Sequence, residues 1–198
     1  MAADKDETRA PRYFFALRPD AGAAAALALL ATRLAAQGAG RPLTAADIHL
    51  TLAFVGACDP AEARRLPDLL DGLLPPAPAH PGPEAEASAL PARFALSRIG
   101  AFGPRLLWIG PAEPISWVQA LSDELRRRLT AAGIAHDERP LRAHLTLLRG
   151  AREALALRGA ATPIVPTGWT PCLGWSAPAS TPQHRYDWHC HHAVKLAS

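Results

Sequence analysis

The sequence is poor in lysine, cysteine and methionine, and it has no long apolar run. Only 2 lysines stand against 19 arginines, and alanine supplies 43 of the 198 residues. That bias resembles a GC-rich coding background and takes weight from any argument resting on a single Ala or Arg. The longest apolar candidate, residues 21–32, is bracketed by Asp20 and Arg33, short of the roughly 18 residues that a membrane span needs. Met1 to Arg12 is charged and polar with no apolar h-region, so no secretion signal and no membrane partner are expected. Cys58, Cys172 and Cys190 are few, odd in number and widely spaced. They argue against a disulfide framework and for a reducing, cytoplasmic setting.

What is present is enough for a folded core. The chain is 49% hydrophobic and 20% charged, well outside the disordered range. Its formal net charge of +3 suits a polyanionic partner without demanding one. Residues 1–11 read as a solvated tail. Tyr13 to Leu17 is a short aromatic strand closed by Pro19, and 21–37 is a helix with Leu27, Leu30 and Leu34 in register and Gly38 as its stop. Ile48 to Val55 reads as a strand, and 60–72 as a helix that Pro67 interrupts. Residues 75–83 hold five prolines and read as a polyproline-like connector. Strands follow at 93–99 and 106–109, then a helix at 115–132 with Val118, Leu121, Leu125 and Leu129 on one face. A strand at 142–149, a short helix at 152–157 and strands near 169–176 and 186–196 complete the chain.

The two halves repeat. His49-Leu50-Thr51-Leu52 lies 36 residues after Tyr13, and His144-Leu145-Thr146-Leu147 lies 37 after Leu107. Each tetrapeptide closes a strand–helix–strand unit, which points to an internal duplication. On a strand, His and Thr of each copy share one face and the two leucines take the other. Two imidazoles can divide acid and base roles near neutral pH, and two threonine hydroxyls can donate to phosphate oxygens. No carboxylate or thiol of ligand spacing accompanies them, so the expected chemistry uses no metal and no cofactor.

These two tetrapeptides and their flanks resemble the paired His-x-Thr signatures of the 2H phosphoesterase superfamily. Within it they are similar to the RNA 2',3'-cyclic phosphodiesterases, also called 2'-5' RNA ligase-like proteins. The resemblance runs through Arg12 to Leu17, Asp47 to Gly56, Leu107 to Gly110 and Arg139 to Arg149. It departs at Ala143, where the family commonly has proline, and at the long connector. It implies an α+β fold of two pseudo-twofold lobes, built around 12–56 and 106–149 within one unit at 12–198. Each lobe would be an antiparallel sheet with outer helices, the two sheets facing a central cleft. It also implies hydrolysis of a 2',3'-cyclic phosphate, on an RNA end or a small nucleotide, to a 2'-phosphate. In this scheme His144 is the general base, His49 protonates the departing 3'-oxygen, and Thr51 and Thr146 hold the phosphoryl oxygens. Sequence symmetry leaves the reverse order of the histidines open.

Arg149 matches a family position that often carries a basic residue near the phosphate, although a regular strand would point it to the face opposite His144. Arg142 shares the face of His144. Phe14 or Phe15 is a candidate for stacking on a terminal base. Three other readings compete: 2'-5' RNA ligation through the same site, a non-catalytic module gripping RNA ends, and metal binding by the cluster His184, His189, Cys190, His191 and His192. One chain carrying both motifs is expected to act as a monomer without an obligate protein partner.

Overall fold

Two strand–helix–strand units can be traced through the computed structural model, which describes residues 10–38, 40–73, 93–152, 154–181, 184–191 and 194–195. The connector at 75–83 and nearly all of the N-terminal tail lie outside the described residues. The first unit is β1 (Tyr13–Pro19), α1 (Ala21–Gly38), the two-residue β2 (Arg41–Pro42) and β3 (Leu50–Gly56). After it come α2 (Pro60–Arg65) and a 3-10 turn over Pro67–Leu70, the break occurring at the proline. The second unit is β5 (Leu106–Gly110), α3 (Ser116–Ala131) and β6 (Leu145–Arg149), preceded by β4 (Leu96–Phe102). The chain continues through β7 (Gly159–Ile164), β8 (Gly168–Thr181), β9 (His184–Cys190) and β10 (Val194–Lys195).

All the strands pair antiparallel in one ten-stranded sheet, in the order β10-β8-β1-β3-β6-β5-β4-β7, with β9 on β8 and β2 on β6. The expectation of two separate sheets facing a cleft is corrected here. The motif strands β3 and β6 meet edge to edge through the pair Leu50 and Leu145, which joins the halves into a single sheet. The equivalent leucines Leu50 and Leu145 are therefore direct partners.

The registers on either side correspond. On β3, Ala53 faces Phe15 and Thr51 faces Ala16, so Leu52 is an extra residue. On β6, Leu148 faces Leu107 and Thr146 faces Trp108, so Leu147 is extra in the same way. Each motif strand thus carries a bulge one residue after its threonine, and each bulge re-aims the side chains beyond it.

The leucines of both tetrapeptides point into the core, with Leu50, Leu52, Leu145 and Leu147 all essentially inaccessible. Helix α1 offers Leu27, Ala31 and Leu34 and packs on β6, while α3 offers Val118, Leu121, Leu125 and Leu129 and packs on β3. Each helix therefore covers the other half's motif strand. Each half therefore depends on the other's helix to cover its motif strand. Ser122 of α3 donates its hydroxyl to the Leu52 carbonyl at 2.6 Å in the buried interior, at the bulge. Ser122→Ala strands that carbonyl and is expected to cost about 1–3 kcal/mol of stability, read from the urea unfolding midpoint. An unchanged midpoint would contradict this anchoring.

Three other expectations change. Cys172 and Cys190, 18 residues apart in sequence, face each other across β8 and β9 and are disulfide-bonded, with Cα atoms 4.1 Å apart. Their linear spacing could not reveal a strand register, and the cysteine count no longer speaks for a reducing compartment. Residues 154–157 form a turn rather than the expected helix, since so short a segment gains too little to nucleate one. Residues Gly159–Ile164 form an edge strand that the sequence hid, exposed and containing Pro163. No helix among the described residues is long and apolar enough to cross a membrane.

Candidate active site

On β1, Phe15 and Leu17 are fully buried, which turns Phe14, Ala16 and Arg18 to the opposite face of the sheet. That face carries both histidines. His49 Nδ1 lies 2.6 Å from the Asp47 carbonyl, and His144 Nδ1 lies 2.6 Å from the Arg142 carbonyl. A carbonyl oxygen only accepts, so each ring donates from Nδ1 and keeps its Nε2 for other chemistry. The same contact explains why the motif strands start one residue after each histidine, later than the sequence suggested. The carbonyl two residues before the imidazole is held by the ring, which takes it out of the strand ladder.

The two imidazoles sit in different surroundings. His49 is 8% exposed and is walled by Phe14, stacked at 4.8 Å between centroids, with Tyr186 at 5.3 Å and Trp188 at 5.2 Å edge-on. His144 is more open and meets Phe102 at 4.8 Å and Trp108 at 6.1 Å. Burial pushes the His49 imidazole down to about 4, helped by the charges of Arg149, His144 and Arg18 and opposed by the Asp47 carbonyl. Burial also lowers His144, with Arg142 and Arg149 adding to it and the Arg142 carbonyl opposing. Both rings are neutral at pH 7 when nothing anionic is bound.

Arg149 stands with them. A regular strand would send it to the core face, but the extra residue at Leu147 turns it back, opposite Leu106. Its Nη2 donates to the Tyr186 hydroxyl at 3.1 Å, and its buried Nε has no partner among the described residues. Arg18 lies over Trp188 at 4.9 Å and donates from Nη2 to the Ala46 carbonyl at 3.1 Å. Thr51 is half-buried and Thr146 is 9% exposed; each stands two residues beyond its histidine on the strand.

The structure separates the two phenylalanine candidates. Phe15 belongs to the core on the other face, so it cannot meet a base. Phe14 is in the site but only 5% exposed, packed against His49, Tyr186 and Trp188. It holds His49 in place rather than offering an open face to a base. Arg142 places its guanidinium over Phe102 and Trp108, at 5.2 and 5.7 Å. Of the C-terminal cluster, Cys190 is held in the disulfide and His191 lies 3.6 Å from Asp71. No three His, Cys, Asp or Glu side chains among the described residues converge to hold a metal ion. The side chain of His184 and the whole of His192 lie outside the described residues.

Sequence reading missed Tyr186, Trp188, Phe102 and Arg18. Period-two alternation on β9 would have paired Tyr186 with Trp188, but nothing local shows that β9 reaches His49.

A family described as LigT-like phosphoesterase matches residues 17–112, a stretch containing the first motif and ending before the second. The RNA 2',3'-cyclic phosphodiesterase of Escherichia coli strain K12 is 33% identical over 122 residues, which is 60% of this chain and 60% of that protein. The aligned stretch thus spans under two thirds of this curated relative. The crystal structure of E. coli LigT complexed with 3'-AMP superposes with a TM-score of 0.60 at 23% identity, over 96% of this chain and all of the other. The TT0787 protein of Thermus thermophilus gives 0.63 at 20% identity, over 93% and 97% of the two chains. These likenesses show the same fold. The family match and the curated relative each align with part of this chain and the fold agrees with both, so the chain is similar to the LigT-like phosphoesterases.

Proposed function

We propose that this protein is an enzyme that hydrolyses a 2',3'-cyclic phosphate, on an RNA end or a nucleotide, to a 2'-phosphate without a metal ion. One observation supports the reading: the Leu50–Leu145 pair brings together two motif strands that each carry an Nδ1-anchored imidazole, and the charge of Arg149 bears on both rings. The internal duplication read from the sequence is supported by the matching bulges and the crosswise helices. Because both motifs belong to one chain, a single copy supplies the whole site.

In the proposed reaction water attacks phosphorus in line with the 3'-oxygen, and the bond from phosphorus to that oxygen breaks. His144 Nε2 takes the proton from water, and His49 Nε2 delivers one to the departing oxygen. The difference in burial supports that order. The more deeply buried imidazolium is the stronger acid, and the more open imidazole is the stronger base. Thr51 and Thr146 donate hydrogen bonds to the non-bridging oxygens, and Arg149 balances their charge. Hydroxyls and a guanidinium fill the role that a metal ion would otherwise take.

The pH profile tests this directly. The productive form carries one proton shared over the pair, and burial holds both rings below their ordinary value of 6.5, His49 at about 4. Values of kcat/KM for a nucleoside 2',3'-cyclic phosphate are expected to peak between those limits. Above them, loss of the acid's proton lowers the rate about tenfold per pH unit. A flat profile extending beyond pH 8 would contradict a two-imidazole mechanism.

A further inference from the structure

Asp47 is a buried carboxylate that the hydrolysis does not use. It is 3% exposed and has no ion pair among the described residues. Its two oxygens accept from the Arg185 backbone N–H of β9, each at 3.3 Å, while its own carbonyl holds His49 Nδ1 at 2.6 Å. A carboxylate so enclosed is costly unless an opposite charge offsets it. That charge is Arg18 of β1: burial lowers its titration, and the Asp47 carboxylate opposes the lowering. Arg18 donates from Nη2 to the carbonyl of Ala46 at 3.1 Å, and its guanidinium lies over Trp188 at 4.9 Å. Trp188 in turn meets His49 edge-on at 5.2 Å.

Residues 46 and 47 are thus tied to β1 through Arg18 and to β9 through Asp47, and His49 is held between those strands. The charged and titratable groups facing His49 are Arg18 from β1, His144 and Arg149 from β6, and Tyr186 from β9, with Asp47 on its own segment. A cation behind the ring strengthens its imidazolium as an acid, and an anion beside that cation limits the effect. We propose that Arg18 and Asp47 are an opposed charge pair of positioning residues, which hold His49 in its aromatic wall and set its strength as the acid that protonates the leaving oxygen. At the matching place, two residues before His144, stands Arg142. The two motifs are identical, but the charge behind each differs in sign, and that difference separates the two imidazoles in role. This rests on the proposed hydrolysis and adds residues to its machinery.

The test is the titration of the His49 imidazole by NMR, its signal identified as the one lost in His49→Ala. It is read together with kcat and KM on a nucleoside 2',3'-cyclic phosphate. Arg18→Met removes the cation and leaves the carboxylate, so the His49 titration is expected to rise about one pH unit from its value of about 4. The kcat should fall about tenfold with KM changed less than about threefold, since a weaker, looser acid is felt only in the transition state. Arg18→Gln keeps a donor for the Ala46 carbonyl and should show the same rise, which separates the charge from the bond. Adding Asp47→Asn to Arg18→Met removes the carboxylate left without its cation. That double variant should stand closer to the wild type than Arg18→Met does, in both titration and kcat. A titration unmoved in the Arg18 variants marks a merely structural arginine and would overturn the pair. A double variant no closer to the wild type than Arg18→Met would overturn it as well. If no form of the protein turns the substrate over, the hydrolysis reading fails separately, and the NMR titration alone judges the pair.

Discussion

His49→Ala and His144→Ala are each expected to lower kcat/KM by about 10²–10⁴-fold on a 2',3'-cyclic phosphate. Each ring has one nitrogen committed to a backbone carbonyl and one left for proton transfer. Removing a ring therefore removes a proton-transfer role that no neighbour can take. The double variant should be little worse than either single one, because the two groups act as a unit. His49→Ala also leaves a gap between Phe14, Tyr186 and Trp188, so a stability cost accompanies its activity loss. His144 is more open, and its variant should lose activity while keeping its unfolding midpoint. Wild-type turnover in either folded variant would remove the basis of the mechanism.

Arg149→Met is the second large effect, expected to cost about 10²–10³-fold in kcat by analogy with losing one preorganised transition-state donor. Methionine keeps the stem's bulk and removes the charge. The same change should raise the titration of both imidazoles, because the Arg149 charge holds each of them down. The alkaline limb of the pH profile then moves to higher pH as the rate falls. A purely structural arginine would give the loss without that shift. Arg149→Lys should rescue the pH shift but only part of the rate, since a point charge cannot reproduce a planar fork already bonded to the Tyr186 hydroxyl.

How much of this could be read beforehand depended on whether the deciding contact was local. The histidines and threonines were legible because alternation on a strand is a local rule, and the core-facing leucines between them obeyed it. Alternation also put Phe14 and Phe15 on opposite faces, but which of them joined the core cluster depended on partners 35 or more residues away. A regular strand would set Arg149 on the face opposite His144, but one extra residue at Leu147 reverses parity, and a bulge has no sequence mark here. The joining of the halves into one sheet rests on the Leu50–Leu145 pair and on β2 against β6, and was equally hidden. Tyr186 and Trp188 complete the His49 wall only because β9 folds back on β8 through a register that the cysteines also share.

The central claim is that two imidazoles, assisted by hydroxyls and Arg149, open a cyclic phosphate on their own. The most direct measurement is product analysis of an oligoribonucleotide ending in a 2',3'-cyclic phosphate, incubated with the purified protein with and without EDTA. A 2'-phosphate end formed at the same rate in both samples is the predicted result. A 3'-phosphate product, a rate abolished by the chelator and restored by a divalent ion, or an unchanged cyclic end would contradict it.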